Sequence, residues 1–383
     1  MRLLLLCMVA FLLGCDNSAQ QKITYPIPGA YQIQEYLPSL EGKKVGLTVN
    51  HSSLIEETHL TDTLLRLGVD IAKVYAPEHG FKGTASDGVE IQYEKDQGDF
   101  ELISIYGKSK KPSSSQLEGI DIMLFDMQDV GTRFFTYISS MHYVMEACAE
   151  NNIPVIILDR PNPNGSYVDG PVLDTAFQSF VGMHQIPIVH GMTIGELALM
   201  IHGEGWLENR IKVELSVIPI KNWDHQTSYA LPVKPSPNLP DDLSISLYPS
   251  LCLFEGTIMS VGRGTDYAFQ HIGHPDYPDT TYSFTPVSRE GAKWPPLEDI
   301  KCYGKSWKNT TPQYRFSLQP LIEAYSIMNR DDFFNDYFKR LAGNDVLEQQ
   351  IKQGMSETEI RVTWQDDLDQ FKLKRNKYLL YDE

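Results

Sequence analysis

Residues 120–133 read Ile-Asp-Ile-Met-Leu-Phe-Asp-Met-Gln-Asp-Val-Gly-Thr-Arg, an apolar run that ends abruptly in charged and amide side chains. The run from Ile120 to Phe125 predicts a buried β-strand, and Met141 to Glu150 has the apolar spacing of an amphipathic helix. A second apolar run, Pro154 to Leu158, follows that helix. Strands separated by helices of this length predict a parallel sheet with right-handed crossovers.

The same alternation continues on both sides of this stretch. Further strands are predicted at Val45–Val49, Val69–Tyr75 and Val213–Ile218, and further helices around Leu60–Leu67 and at Gly195–His202. Nearly continuous apolar strands are typical of a sheet that is covered on both faces. The N-terminal half therefore predicts an α/β fold with a Rossmann-like parallel sheet.

A proline-rich segment interrupts this pattern and is predicted to be the linker or the cleft wall between two domains. Residues 221–242 lack apolar periodicity and contain the prolines Pro232, Pro235, Pro237 and Pro240. Beyond it, strands are predicted at Leu251–Met259 and Glu359–Trp364, and helices at Gln319–Met328 and Asp331–Leu341. Because 383 residues suit two domains, we predict a leader and tether at 1–21, a Rossmann-like domain at 22–235 and a smaller α+β domain at 236–383 that closes a cleft.

The first residues predict export. Met1-Arg2 precedes an apolar run from Leu3 to Leu13, which is too short to span a bilayer. The following Gly14-Cys15 resembles a bacterial lipobox, which implies lipidation at Cys15 and a polar tether behind it. We expect a periplasmic or outer-membrane-associated lipoprotein that contacts the membrane through its lipid anchor alone. The formal net charge of -17 argues against nucleic acid as a partner.

Metal and cofactor sites are not expected. The cysteines that follow the leader, Cys148, Cys252 and Cys302, form no Cys-x-x-Cys pair, and a Cys252–Cys302 disulfide stays open as an alternative. In His271-x-x-His274, Gly273 and Pro275 exclude the regular helix that would align the two rings, so this segment is predicted to be a loop.

Three predicted strands end in dense polar motifs. The motifs are Pro77-Glu78-His79-Gly80 after the second strand, Asp126 to Arg133 after the Ile120–Phe125 strand, and Asp159 to Gly165 after the Pro154–Leu158 strand. The carboxyl ends of parallel strands converge on one crevice, so these side chains should lie along one edge of the sheet. Acid, base and amide groups at three such sites favour a site for a polar substrate over three separate turns or helix caps.

Six motifs carry a specific resemblance. The strings PEHGFKG (77–83), DMQDVGTRFFTY (126–137), DRPNPNG (159–165), PSPNLP (235–240), LFEGT (253–257) and VGRGT (261–265) resemble those of the exo-β-N-acetylmuramidase family. The resemblance implies a glycoside hydrolase, without a cofactor, that releases N-acetylmuramic acid from the non-reducing ends of peptidoglycan fragments. It also implies a site in the cleft between the two domains, with a peptidoglycan-derived sugar or muropeptide as the partner.

Glycoside cleavage requires a proton donor and a second group at the oxocarbenium-like centre. Glu78 is predicted to be the general acid, because it directly follows a strand and lies between Pro77 and Gly80. Asp126, Asp129, Asp159 and Glu255 are candidates by residue type for the second group, with Asp126 and Glu255 preferred. The N-acetyl group of the substrate is a further alternative, so retaining, inverting and substrate-assisted mechanisms stay open.

The substrate carries a lactyl carboxylate, which a planar guanidinium binds well. The candidates for this contact are Arg133, Arg160 and Arg263. Of these, Arg263 lies between Gly262 and Gly264 and has the least reason to be part of a surface salt bridge. Other predicted substrate-binding residues are His79, Gln128, Asp129, Tyr137, Asp159, Asn162, Asn164 and Asn238.

Two other functions compete with hydrolysis. Nucleotide binding is disfavoured, because no strand is followed by Gly-x-Gly-x-x-Gly and no Walker lysine loop is present in the sequence. A lipoprotein that binds a sugar or muropeptide without cleaving it stays as the alternative.

Overall fold

The computed structural model describes residues 25–84, 100–107 and 109–383. The predicted leader and the predicted lipidation site Cys15 lie outside these residues. Within them, no helix combines the length and apolar character needed to cross a membrane. Cys148, Cys252 and Cys302 are buried and unpaired, so the Cys252–Cys302 disulfide is not formed.

Thirteen strands are seen in the described residues. They are β1 Lys44–Val49, β2 Leu54–Ile55, β3 Thr58–His59, β4 Asp70–Ala76, β5 Glu101–Ser104, β6 Ile122–Asp126, β7 Val155–Leu158, β8 Asp169–Val172, β9 Pro187–Val189, β10 Leu215–Ile218, β11 His271–His274, β12 Ser283–Phe284 and β13 Cys302–Ser306.

The same residues contain eleven α-helices. They are α1 Ile33–Tyr36, α2 Leu60–Arg66, α3 Ser114–Leu117, α4 Tyr137–Glu150, α5 Ile194–Gly203, α6 Asp242–Leu251, α7 Gln319–Met328, α8 Tyr337–Ala342, α9 Val346–Lys352, α10 Glu357–Val362 and α11 Gln365–Arg375.

The main sheet has the order β10-β7-β6-β1-β4-β5 and is parallel throughout. Numbered along the chain, its six strands follow the 3-2-1-4-5-6 order of a Rossmann fold. The sheet is extended in both directions from β1, which pairs with β4 on one side and with β6 on the other. The predicted fold class is therefore confirmed, and the carboxyl ends of β1, β4 and β6 lie next to one another.

Apolar side chains cover both faces of this sheet. On one face, the core includes Val45, Leu47 and Leu124 of the sheet together with Leu60 and Leu64 of α2. The core on the other face is larger and continues from α4 into the C-terminal half, where it includes the following side chains: Phe254, Phe333, Phe338, Leu347 and Trp364. Because one apolar core joins the two halves, the surface between them is a fixed part of the fold.

The C-terminal half combines a three-stranded antiparallel sheet, ordered β11-β13-β12, with helices α7 to α11. The predicted strand at Glu359–Trp364 is wrong: Ser356 and Glu359 form a capping box that begins helix α10. The predicted strand at Leu251–Met259 is also wrong, since the chain leaves α6 directly into a 3₁₀ helix at Cys252–Gly256.

Two further predictions need correction. The segment from His271 to His274 is strand β11, which pairs with β13, and not a loop. The helix predicted at Asp331–Leu341 covers only Tyr337–Ala342, because the preceding turn packs Phe333 into the core.

Candidate active site

A cavity of about 230 Å³ lies between the strand ends of the first half and the C-terminal half. We call it the interdomain cavity. Six of the predicted site residues line it: Glu78, His79, Tyr137, Asn238, Glu255 and Arg263. Aromatic side chains form much of the remaining wall, among them Tyr106, Phe134, Phe135, Phe180, Tyr248, Phe269 and Tyr337.

Glu78 reaches the cavity from a tight turn that follows β4. The Gly80 N–H donates to the Pro77 carbonyl over 2.9 Å, which closes the turn immediately after the strand. His79 in this turn has a φ of 66°, a left-handed conformation that costs a residue other than glycine some free energy. Such strain is concentrated at functional sites, where it serves to aim a side chain.

Two hydroxyl groups orient the Glu78 carboxyl. The Thr136 Oγ1 hydroxyl donates to Oε2 over 2.5 Å, and the Tyr106 hydroxyl donates to Oε1. Thr136 lies immediately before helix α4, whereas Tyr106 follows the short edge strand β5. Residues from two separate segments therefore hold the two oxygens of this half-buried carboxyl.

Glu255 stands on the wall formed by the C-terminal half. Its Oε1 atom accepts from Arg263 Nε over 2.5 Å, and the Cys252 thiol lies 3.4 Å from Oε2. The Arg263 guanidinium lies 5.2 Å from the ring centroid of Phe269. Burial, and after it the negative charge of Glu255, raise the pKa of the nearby Tyr337 hydroxyl. This wall therefore offers a carboxylate and a guanidinium side by side.

The proline-rich segment closes a third side of the cavity. Ser236 Oγ lies 3.4 Å from His79 Nε2, and the Tyr137 hydroxyl donates to the Pro235 carbonyl over 3.3 Å. Asn238 is anchored by its amide, which donates to the Gly291 carbonyl over 3.0 Å. The proline-rich segment thus forms part of the cavity wall, which is one of the two roles predicted for it.

Asp126 and Arg160 do not line the interdomain cavity and form an ion pair with each other. Arg160 Nε donates to Asp126 Oδ1 over 2.5 Å and Nη2 donates to Oδ2 over 2.8 Å, a bidentate pair that is almost fully buried. Arg160 also donates to the Leu54 carbonyl over 3.0 Å. This placement argues against direct contact of either residue with substrate.

The remaining residues of these motifs are likewise turned inward. Asp159 accepts from Thr193, Gly195, Tyr381 and its neighbour Arg160. The side-chain amides of Gln128, Asn162 and Asn164 donate to the backbone carbonyls of Pro161, Met192 and Val130, respectively. We call this buried set the strand-end network; its members are Asp126, Gln128, Asp129, Asp159, Arg160, Asn162 and Asn164.

Asp129 is the least satisfied member of the strand-end network. Its Oδ2 atom accepts from the Gly131 N–H over 2.7 Å, but Oδ1 has no hydrogen-bond partner among the described residues. Burial raises the pKa of its carboxyl to about 7, although the Gly131 and Val130 N–H groups act in the opposite direction.

Arg133 joins the two halves of the molecule. Its Nη1 atom donates to the Pro171 and Ile186 carbonyls, and Nη2 donates to the Leu341 and Ala342 carbonyls, at 2.7 to 3.0 Å. The side chain is completely buried, and burial lowers its pKa to about 9. Of the three predicted lactyl-binding arginines, Arg263 is therefore the one that lines the cavity.

Sequence reasoning missed several residues of this wall. Thr136 lies within the motif 126–137, but a threonine just before a predicted helix is ordinarily interpreted as a helix cap. Tyr106 follows strand β5, which was not predicted because its sequence, Glu-Leu-Ile-Ser, is short and partly exposed. Phe180 and Tyr337 come from a turn and a helix with no motif of their own.

Comparison with known proteins identifies the family. A family model described as exo-β-N-acetylmuramidase NamZ, N-terminal, matches residues 45–243, and the corresponding C-terminal model matches residues 246–381. The chain belongs to the exo-β-N-acetylmuramidase family. It is 35% identical over 374 residues to the peptidoglycan β-N-acetylmuramidase NamZ of Bacillus subtilis (strain 168), covering 91% of this chain and 89% of that protein.

Two solved structures share the fold of this family member. One DUF1343 family protein of Bacteroides fragilis is 43% identical with a TM-score of 0.87, covering 94% of this chain and all of the other. A second DUF1343 protein of the same organism is 26% identical with a TM-score of 0.80, covering 93% and 99%. The predicted family and the enzyme class, glycoside hydrolase, are thereby confirmed. The two family models meet within helix α6, whereas the predicted domain boundary lies before it.

Proposed function

We propose that this chain is an exo-acting β-N-acetylmuramidase that releases N-acetylmuramic acid from the non-reducing ends of peptidoglycan fragments, with Glu78 as the proton donor. The observation that carries the proposal is the position of Glu78, which lines a cavity between the two domains together with a second carboxyl, Glu255. Membership of the exo-β-N-acetylmuramidase family supplies the substrate class.

The proposed reaction needs two proton transfers and the exchange of one bond for another. Glu78 donates its proton to the glycosidic oxygen as the bond from that oxygen to the anomeric carbon breaks. A water molecule then forms the new bond to the anomeric carbon and gives up a proton, which restores the protonated carboxyl of Glu78 for the next turnover. The Tyr106 and Thr136 hydroxyls hold the Glu78 carboxyl against rotation. Glu255 provides negative charge near the oxocarbenium-like centre from the opposite wall.

Arg263 is the residue proposed to bind the lactyl carboxylate. It lies beside Glu255, and Phe269 beneath its guanidinium fixes the plane of that group. The volume of about 230 Å³ suits a single sugar residue, in keeping with action at a chain end.

The test compares two chromogenic substrates that differ only in the lactyl group, a β-N-acetylmuramide and the matching β-N-acetylglucosaminide. We expect rapid cleavage of the muramide and little cleavage of the glucosaminide. Equal cleavage of both would contradict the role of Arg263, and binding without cleavage of either would favour a sugar-binding lipoprotein.

Export and lipidation are part of the same proposal. The apolar run Leu3–Leu13 followed by Cys15 supports a lipid-anchored protein outside the cytoplasm. In cells fed a labelled fatty acid, the full-length chain should take up label and a Cys15→Ser variant should not. Equal labelling of both would show that Cys15 is not the site of lipidation.

A further inference from the structure

A second cavity of about 430 Å³ lies next to the interdomain cavity. Phe180 lines both cavities, Val181 on one side of it lines the first, and Gln178 and Ser179 on the other side line the second. Phe180 stands at a tight turn in which the Ser179 and Gly182 backbones hydrogen-bond to each other, and Ser139 Oγ donates to its carbonyl over 2.7 Å. One anchored aromatic ring therefore separates two spaces large enough for a ligand.

The second cavity lies on the Glu78 side of the interdomain cavity. Tyr106 donates to Glu78, and its ring lies 6.3 Å from that of Phe180. Tyr143 lines the second cavity, and its ring is stacked with that of Phe180, with 6.3 Å between the ring centroids and 11° between the ring planes. A general acid protonates the oxygen of the leaving group, so the leaving group must lie on the side of the acid. That side is the one bounded by Tyr106 and Phe180.

The walls of the second cavity carry ionisable groups that the reaction at Glu78 does not use. His142 Nδ1 lies 3.0 Å from His184 Nε2, and His142 Nε2 lies 3.4 Å from a Glu146 carboxylate oxygen. His184 is buried, and its Nδ1 atom has no hydrogen-bond partner among the residues described. Burying such groups without a partner costs free energy, so a polar ligand that hydrogen-bonds to His184 would recover part of that cost.

The cavity is negatively charged. One carboxylate oxygen from each of Glu146, Glu150 and Glu208 lies within 4.8 Å of the other two. The Lys111 ammonium, 2.9 Å from Glu146 and 2.6 Å from Glu150, offsets part of this charge. Burial raises the pKa of Glu146, but His142 and Lys111 outweigh burial and bring it down to about 2. Burial lowers the pKa of His184 well below its ordinary value, so that imidazole adds no positive charge at neutral pH.

Such a surface selects against anions. An N-acetylmuramic acid residue carries a carboxylate and would be repelled by Glu146 and Glu208, whereas a neutral N-acetylhexosamine would not. The aromatic rings of Tyr143 and Trp206 offer apolar surface to the C–H face of a pyranose, and the carboxylate and amide oxygens accept from its hydroxyls.

We infer that the second cavity binds the neutral N-acetylhexosamine residue that leaves when the bond at Glu78 is broken. The inference rests on the proposed function for the position of the bond. It assigns the two cavities to the two sides of that bond: the anionic terminal residue beside Arg263 and the neutral residue beside Tyr143 and Glu208.

The test fills the second cavity without touching the first. Gln185 is exposed and lines the second cavity, so Gln185→Trp should obstruct it with little risk to folding. Gln226→Trp is the matched control, since Gln226 is an exposed glutamine in the wall of a different cavity. The substrates are the disaccharide of N-acetylmuramic acid linked to N-acetylglucosamine and the chromogenic β-N-acetylmuramide, which lacks the second sugar.

For Gln185→Trp we expect KM for the disaccharide to rise roughly tenfold, while kcat/KM for the chromogen stays within about twofold of the unmodified protein. Gln226→Trp should leave both substrates unaffected. Unchanged KM for the disaccharide in Gln185→Trp would overturn the assignment of the second cavity.

A binding measurement separates this inference from the proposed function. Saturation-transfer NMR with N-acetylglucosamine alone should show binding to the unmodified protein and to Gln226→Trp, and loss of binding in Gln185→Trp. If no substrate is cleaved but this pattern is found, the hydrolase proposal falls and the sugar site stands. If substrates are cleaved but N-acetylglucosamine binding is absent or insensitive to Gln185→Trp, the sugar site falls alone.

Discussion

The strand-end network and the interdomain cavity are both built from acidic, basic and amide side chains, yet they use them in opposite ways. In the network, Asp126 accepts two hydrogen bonds from Arg160, and Asp159 accepts four. In the cavity, Glu78 and Glu255 keep their carboxyls at the edge of open space. A carboxylate enclosed by its partners fixes the fold, whereas one that faces a cavity is available to a substrate.

The difference has a structural origin. The loops that follow β6 and β7 are covered by helix α5, whose Gly195 N–H donates to Asp159, and by the C-terminal residues that include Tyr381. Strand β4 lies one strand from an edge, as β7 does, but the turn that follows it lines the interdomain cavity beside the second domain. Polar motifs at the carboxyl ends of neighbouring strands therefore form the buried strand-end network after β6 and β7 and one wall of the interdomain cavity after β4.

Glu78→Gln should have the largest effect on activity. Loss of the proton donor should lower kcat for the β-N-acetylmuramide by about 10² to 10⁴-fold, because general acid catalysis contributes that much. The midpoint of urea unfolding should change little, since an amide can keep hydrogen bonds to Tyr106 and Thr136. A large fall in stability with retained kcat would show that Glu78 stabilises the fold and is not the proton donor.

Asp126→Asn should have the largest effect on stability. The change leaves the buried Arg160 guanidinium without its charge partner, which should cost about 3 to 5 kcal/mol in the free energy of unfolding. Asp266→Asn is the control, because Asp266 pairs with Arg289 at an exposed site and should cost less than about 1 kcal/mol. Urea denaturation followed by fluorescence measures both. Equal losses in the two variants would show that the network is not needed for the fold.

Asp129→Asn should change the pH dependence of stability. The folded-state pKa of Asp129, about 7, lies above the ordinary value of 3.8, so the folded protein binds a proton more tightly than the unfolded chain. Between these two values the unmodified protein should lose about 1 kcal/mol of stability for each unit by which pH rises, and the loss should level off above pH 7. The Asn variant resembles the protonated form and should lack this slope. Parallel curves from pH 5 to 8 for both proteins would contradict the prediction.

Tyr381→Phe should have the smallest effect. The Tyr381 hydroxyl donates to Asp159 Oδ2 and accepts from the Ile220 N–H, so its removal should cost roughly 1 to 2 kcal/mol. Tyr25→Phe, at an exposed position, serves as the control in the same thermal unfolding experiment. A Tyr381→Phe protein as stable as this control would show that the C-terminal residues do not hold the network together.

The sequence predicts most of the sheet but only part of the site. Strands β1, β4, β6 and β7 stand out as apolar runs, because central parallel strands are buried on both faces. Strand β5 does not, since its edge position leaves Glu101 exposed. The capping box at Ser356 could have identified α10 as a helix, but the alternation of Ile360, Val362 and Trp364 with polar residues favoured a strand.

Long-range partners explain the remaining misses. Arg133 is held by the Leu341 and Ala342 carbonyls, more than 200 residues further along the chain. Backbone acceptors have no signature in sequence, so the burial of Arg133 could not be predicted from its motif. The strand-end rule identifies the edge where polar groups gather, but burial by distant segments decides which of them remain open.

The most direct test of the account is the ratio of kcat/KM for the chromogenic β-N-acetylmuramide between Glu78→Gln and Asp129→Asn. Both substitutions replace a carboxyl by an amide at the end of a sheet strand, one in the interdomain cavity and one in the strand-end network. We predict that Glu78→Gln loses at least about 10²-fold in kcat/KM while Asp129→Asn stays within about threefold of the unmodified protein. Comparable losses in both variants, or a greater loss in Asp129→Asn, would contradict the division between the two regions.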